Sequence, residues 1–196
     1  MIAPRSLIGG IITMVYTLKV AGLERQLSLF PIGGGVFIAG FLLMGDVELT
    51  VCCARELLKS CPDYDYIITP ETKSIPLVME MARQRGDSAF VVARKQVKLY
   101  MSDVMSVEVK SITTENPQHL YLDGKDAELL KNSRVLVVDD VISTGNSLAA
   151  VEELVNFAGG SIVGRAAVLA EGDAALRDDI IFLERLPLFS EGDAGK

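Results

Sequence analysis

The strongest chemical signal in the chain lies between Arg134 and Ser147, RVLVVDDVISTGNS. An apolar run, Arg134 to Val138, meets two adjacent carboxylates, Asp139 and Asp140, and then a stretch of small and hydroxyl residues that opens a helix. Backbone N–H groups at such a loop, together with the helix dipole, form a pocket for a phosphate. Ser143, Thr144, Asn146 and Ser147 add side-chain donors, and Gly145 lets the backbone approach the anion closely. The two carboxylates repel that same phosphate. They suit sugar hydroxyls, a divalent cation or a developing positive charge instead. A phosphate, a diol and a positive charge in one line describe a ribose 5-phosphate unit activated at C1.

Two further places carry charge immediately after strand-like segments. Glu71, Thr72, Lys73 and Ser74 follow the run Tyr64 to Thr69, and Arg94, Lys95 and Lys98 follow Ser88 to Ala93. Arg94, Lys95 and Lys98 form the densest basic cluster in an acidic chain. Either segment alone reads as a capped turn or a solvated charge run. Together they offer donors to a diphosphate leaving group, whose charge grows as its bond to carbon breaks.

The Arg134–Ser147 string resembles the phosphoribosyl diphosphate (PRPP) motif of type I phosphoribosyltransferases, in which an apolar strand runs into Asp-Asp and a Thr-Gly loop. Residues 71–74 are similar to the acidic-x-Lys-Gly loop of the purine enzymes, with Ser74 in the place of Gly. Residues 94–99 are similar to the Arg-Lys-x-Gly-Lys-Leu stretch of adenine phosphoribosyltransferases, with Val97 in the place of Gly. The three motifs stand in family order over residues 69–147, and the chain resembles the adenine/xanthine branch. The resemblance implies transfer of ribose 5-phosphate from PRPP to a purine base, with Mg²⁺ carried on PRPP near Asp139 and Asp140 rather than by a direct side-chain ligand set. Asp139 and Asp140 become the catalytic pair, and residues 143–147 the 5-phosphate anchor. Glu71, Thr72, Lys73, Ser74, Arg94, Lys95 and Lys98 become the diphosphate site. Ser111, Thr113, Thr114 and Glu115 are expected in a loop that covers the site. Their Ser-x-Thr pattern is nearer to xanthine enzymes. Glu171, after the last core strand, is a weak candidate for the base and narrowly favours adenine, because a carboxylate accepts from an amino group and cannot donate to a carbonyl. The family implies a homodimer. A non-catalytic PRPP-sensing regulator is the reading from a different class, but it needs a DNA-binding element that residues 1–45, with only Arg5, Lys19 and Arg25 as basic groups, do not display.

The elements that must position these residues follow from periodicity. Val47, Val51, Ala54 and Leu58 predict a helix capped by Asp46, and residues 76–85 a second one closed by Gly86. Leu148, Val151, Leu154 and Val155 predict a third, ending at Gly159-Gly160, and residues 162–170 a strand. Strand-like stretches on either side of residues 113–118 complete the series. This alternation predicts an α/β fold, a mainly parallel sheet flanked by helices, over residues 46–196. Residues 1–45 break the rhythm and are expected to form a small N-terminal hood that binds the base, with Phe30, Phe37 and Phe41 as stacking or core residues. His119, the single histidine, is expected at the surface.

Composition bounds the partners. The 196 residues carry 19 Lys and Arg against 26 Asp and Glu, a net charge of −7 that argues against a nucleic-acid partner. Mean hydropathy is +0.34. The charge-free run 26–45 nevertheless contains Pro31 and three consecutive glycines, so no membrane span is expected. Cys52, Cys53 and Cys61 fit neither a disulfide framework nor spaced metal ligands, and indicate reduced thiols in a cytoplasmic protein.

Overall fold

A computed structural model of the chain describes residues 2–8, 11–109 and 118–190. The first part is a meander of antiparallel strands, β1 (Ile2–Ile8), β2 (Ile11–Val20), β3 (Leu23–Gly33) and β4 (Val36–Ala39). Ala21 and Gly22, at φ 52° and 80°, make the two-residue turn between β2 and β3, the left-handed pair that suits the twist of a hairpin. Gly40 packs closely: a Cβ there would lie 2.5 Å from the Phe30 ring, which would have to shift. No helix among the described residues is long and apolar enough to cross a membrane.

Helix α1 (Val47–Ser60) begins where expected, with the Asp46 carboxylate accepting from Leu49 N–H at 3.0 Å. Arg25 on β3 donates to the same carboxylate through Nε at 2.6 Å and Nη2 at 3.1 Å, which ties the meander to the helix and holds Asp46 below its ordinary pKa. Next come β5 (Tyr66–Pro70), α2 (Ile75–Arg85) and β6 (Val91–Ala93), the last shorter than the expected 88–93. Gly86 closes α2 at φ 85°. The antiparallel pair β7 (Met105–Val109) and β8 (Gln118–Leu122) follows, then α3 (Gly124–Leu130). β9 (Arg134–Ile142), α4 (Asn146–Phe157), β10 (Ser161–Glu171), a 3-10 turn (Gly172–Leu176), β11 (Ile181–Leu186) and β12 (Phe189–Ser190) complete the described chain.

The core sheet is wholly parallel, in the order β11-β10-β9-β5-β6. Both faces are covered, so its central strands are apolar without a break. Leu136 and Val138 of β9 pack with α1, α2 and the meander, whereas Val135 and Val137 pack with α3, α4 and the β7–β8 pair. Asp65 accepts from the Arg134 backbone N–H at 2.7 Å and from its guanidinium at 2.9 Å, clamping β9 to the entry of β5. β12 does not extend this sheet. It pairs with β4 and so returns the chain to the N-terminal meander.

Candidate active site

From β5 the chain winds outward to β6, and from β9 it winds the opposite way to β10 and β11. The carboxyl ends of β5 and β9 therefore flank the topological switch point, where an open parallel sheet leaves a crevice for ligand. Residues 71–74 lie at one lip of this crevice and 143–147 at the other.

Asp139 and Asp140 lie within β9, which runs on to Ile142 because Val141 and Ile142 still pair with Leu169 and Ala170 of β10. The strand thus runs four residues beyond its apolar run, which ends at Val138. As successive strand residues the two carboxylates leave opposite faces, and both are buried, at 8% and 5% exposure. Asp139 Oδ1 accepts from Thr72 Oγ1 at 3.2 Å and from Asp140 N–H at 2.9 Å. Burial, reinforced by the charge of Asp140, pushes the Asp139 carboxyl up to about 7. Asp140 Oδ2 is buried and has no hydrogen-bond partner among the described residues. A buried oxygen of this kind calls for a donor or cation from a ligand.

Thr72 belongs to a chain of hydroxyls. Thr69 Oγ1 and Ser74 Oγ lie 2.6 Å apart, and Ser74 Oγ and Thr72 Oγ1 also 2.6 Å apart. Ser74 is fully buried at the start of α2 with φ −77° and ψ −15°, an ordinary helical conformation. The departure from glycine at this position therefore imposes no backbone strain. The same holds for Val97, since the described non-glycine residues at positive φ are Ala21, Asp103 and Asn132.

The basic residues are organised by Glu71. Its carboxylate accepts from the Lys95 backbone N–H at 2.8 Å and pairs with Arg94 at 3.3 Å, so Glu71 shapes the basic turn and leaves anion contact to others. Arg94 Nε is a buried donor without a partner among the described residues. Lys73 is exposed, with Nζ 3.4 Å from the Phe41 carbonyl, and Lys95 is exposed past the end of the neighbouring strand β6. Lys98 is half-buried.

At the other lip Gly145 takes φ 80° as the N-cap of α4, a conformation that turns the chain so that the first helical N–H groups face the crevice. Ser143, Thr144, Gly145, Asn146 and Ser147 line a cavity of about 50 Å³ together with Asp139. Sequence reasoning missed Arg177. A Cβ on Gly145 would lie 3.1 Å from Arg177 Nη1, while Nε and Nη2 are each held at 2.8 Å by Asp179. Locally, Arg177-Asp178-Asp179 is a charge run without signature; only the 3-10 turn after β10 brings it back over the Ser143–Ser147 loop.

Glu171 closes β10 at the same end of the sheet, half-buried, with burial raising its pKa. Phe41 is a core residue and Phe37 packs against the core, whereas Phe30 is 53% exposed. Ser111, Thr113, Thr114 and Glu115 lie outside the described residues. No group of three or more His, Cys, Asp or Glu that could hold a metal occurs among the described residues. The hard oxygens of Asp139 and Asp140 nevertheless suit Mg²⁺, which commonly takes one or two carboxylates and completes its shell with water and substrate phosphate.

A family model described as the phosphoribosyl transferase domain matches residues 53–187, which include every one of these motifs. The chain belongs to this family. Among relatives of this phosphoribosyl transferase chain, the hypoxanthine/guanine phosphoribosyltransferase of Methanocella arvoryzae is 32% identical over 73% of this chain and 68% of its own length. The adenine phosphoribosyltransferase of Petrotoga mobilis is 36% identical over 71% of this chain and 79% of its own. The crystal structure of adenine phosphoribosyltransferase from Thermoanaerobacter pseudethanolicus superposes with a TM-score of 0.61 at 27% identity, over 72% of this chain and 83% of that one. The parallel sheet and flanking helices are thus those of the type I phosphoribosyltransferase fold.

Proposed function

We propose that the chain is a purine phosphoribosyltransferase, moving ribose 5-phosphate from PRPP to a ring nitrogen of a purine base and releasing diphosphate, as in purine salvage. The observation that carries this reading is the buried pair Asp139 and Asp140, with an unpartnered Oδ2, set at the switch point beside the left-handed Gly145 turn. Substrate ribose hydroxyls donate to the two carboxylates, which also favour the cationic C1 of an oxocarbenium-like transition state. Residues 143–147 hold the 5-phosphate at the start of α4. Lys73, Arg94, Lys95 and Lys98 hold the diphosphate, on a loop whose shape Glu71, Thr72 and Ser74 maintain. Mg²⁺ bound with PRPP supplies positive charge that neutralises the diphosphate. The N-terminal meander, residues 1–45, serves as the hood over the base, and the assembly is a cytoplasmic homodimer.

Adenine is the favoured base. Its N7 accepts and its N6 amino group donates. The Glu171 carboxylate at the end of β10 accepts from that amino group and has no proton to donate to a 6-oxo carbonyl. The 32% identity to a hypoxanthine/guanine enzyme supports a 6-oxopurine as the second reading. Diphosphate release measured with PRPP, Mg²⁺ and each of adenine, hypoxanthine, guanine and xanthine decides between them. Adenine is expected to be turned over fastest. Faster turnover of an oxopurine replaces the base assignment, and no release with any base overturns the enzyme reading.

A further inference from the structure

We propose that His119 donates a hydrogen bond to the diphosphate of PRPP as it departs, an assignment that rests on the phosphoribosyl-transfer reading above. A second cavity, of about 370 Å³, opens beside the switch point. Thr72 and Ser147 line it on the side of the reaction centre, and Lys95, Gln118, His119 and Tyr121 line it on the side of β8. Thr72 is the residue that donates to Asp139, and Ser147 sits in the first turn of α4. A ligand held between the Asp pair and the α4 N-terminus therefore reaches this cavity directly. Its described polar lining consists of an ammonium, an imidazole, an amide and hydroxyls, with no carboxylate among them. That donor set suits an anion.

Strand pairing fixes His119 in place. Arg94 and Tyr121 exchange both backbone hydrogen bonds, at 2.7 and 2.8 Å, so β8 is fastened to the turn that carries Lys95. His119 lies two residues along β8 from that bridge, on the same strand face as Tyr121, with ring centroids 6.1 Å apart. It is half-buried rather than fully at the surface, and its partner across the β7–β8 ladder is Glu108. In the reaction the C1–O bond breaks, its electron pair stays on the diphosphate oxygen, and the new bond forms from the purine nitrogen to C1. The imidazole N–H keeps its proton and stabilises the oxygen that gains charge.

The single histidine makes the test direct, because the unmodified protein shows one imidazole Cε1–H resonance. Titration with inorganic diphosphate and Mg²⁺ is expected to move that resonance with the same saturation as the backbone amides of the diphosphate loops, Lys73, Arg94, Lys95 and Lys98. His119→Ala is expected to raise the KM for PRPP and weaken inhibition by diphosphate, each about tenfold, the usual size for a charge-assisted hydrogen bond. The KM for the purine stays unchanged, and His119→Asn, which keeps an N–H donor, recovers part of the loss. An imidazole resonance that stays fixed while the loop amides move, or an unchanged KM for PRPP in His119→Ala, overturns the assignment to His119 and leaves phosphoribosyl transfer standing. If diphosphate and PRPP move neither set of resonances, both readings fall.

Discussion

Asp139 is where a single residue couples folding to chemistry. Its carboxyl is raised from 3.8 to about 7 by burial and by Asp140, so the folded state binds a proton that the unfolded state releases. The stability it contributes is complete below about pH 4 and is lost as pH rises through about 7. Asp139→Asn removes that titration. The variant is expected to be more stable than the parent at pH 8, by on the order of a few kcal/mol, and to lose this advantage by pH 4 in thermal denaturation. Asp139→Asn and Asp140→Asn are both expected to abolish nucleotide formation, since an amide neither balances a cationic C1 nor accepts two ribose hydroxyls as well. Ser74 is the second residue with consequences. Its hydroxyl links Thr69 to Thr72, and Thr72 in turn orients Asp139. Ser74→Ala is expected to cost about 1–2 kcal/mol in denaturant unfolding and to raise the KM for PRPP, because the buried Thr69 hydroxyl and the half-buried Thr72 hydroxyl lose their shortest partner. A Ser74→Gly variant that binds PRPP better than the parent would contradict this role.

At the scale of elements, the N-terminus of α4 depends on one backbone conformation. Gly145 stands at φ 80°, and a side chain there meets both intrinsic strain and the Arg177 guanidinium 3.1 Å from its Cβ. Gly145→Ala is expected to destabilise by about 1–2 kcal/mol through the left-handed conformation alone. Its effect on PRPP affinity, read by calorimetry, is expected to be larger, since displacing Arg177 and tilting the first turn both disturb the phosphate cavity. Element boundaries explain which parts of the site were legible. The Asp46 cap, the Gly86 stop and the stripe Leu148, Val151, Leu154, Val155 are local features of the chain, and the helices begin and end near them. β9 outruns its apolar stretch because hydrogen bonds to β10 continue past the Asp pair, and pairing of this kind leaves no mark in local composition.

At the scale of the molecule, both ends of the described chain meet in one sheet. β12 contributes Phe189, which is 7% exposed, pairs with Phe37 on β4 and packs its ring 5.1 Å from that of Tyr16 on β2. The meander shares one apolar cluster with α1, β9 and β10, so it is fused to the core by packing and by the Arg25–Asp46 contact. Phe189→Ala is expected to cost about 3–5 kcal/mol, seen as a large drop in Tm. A loss below about 1 kcal/mol would mean that the sheet holds without β12. The charge distribution also has meaning only at this scale. Against a net charge of −7, Lys73, Arg94, Lys95 and Arg177 gather at the carboxyl end of one sheet, around the Asp pair.

The sequence by itself determined the alternating α/β core, the helix caps, the acid pair and the Ser143–Ser147 loop, because each is written in contiguous residues whose periodicity or backbone requirements are local. The type I phosphoribosyltransferase assignment rests on those same contiguous motifs. Tertiary structure alone decided the rest. Arg177 reaches Gly145 from 32 positions away, Ser74 takes its place in a hydroxyl chain rather than in a strained turn, and β12 joins β4 across the length of the chain. Those contacts are set by how strands register and how loops return, and a residue's type says little about which distant backbone will pass within 3 Å of it.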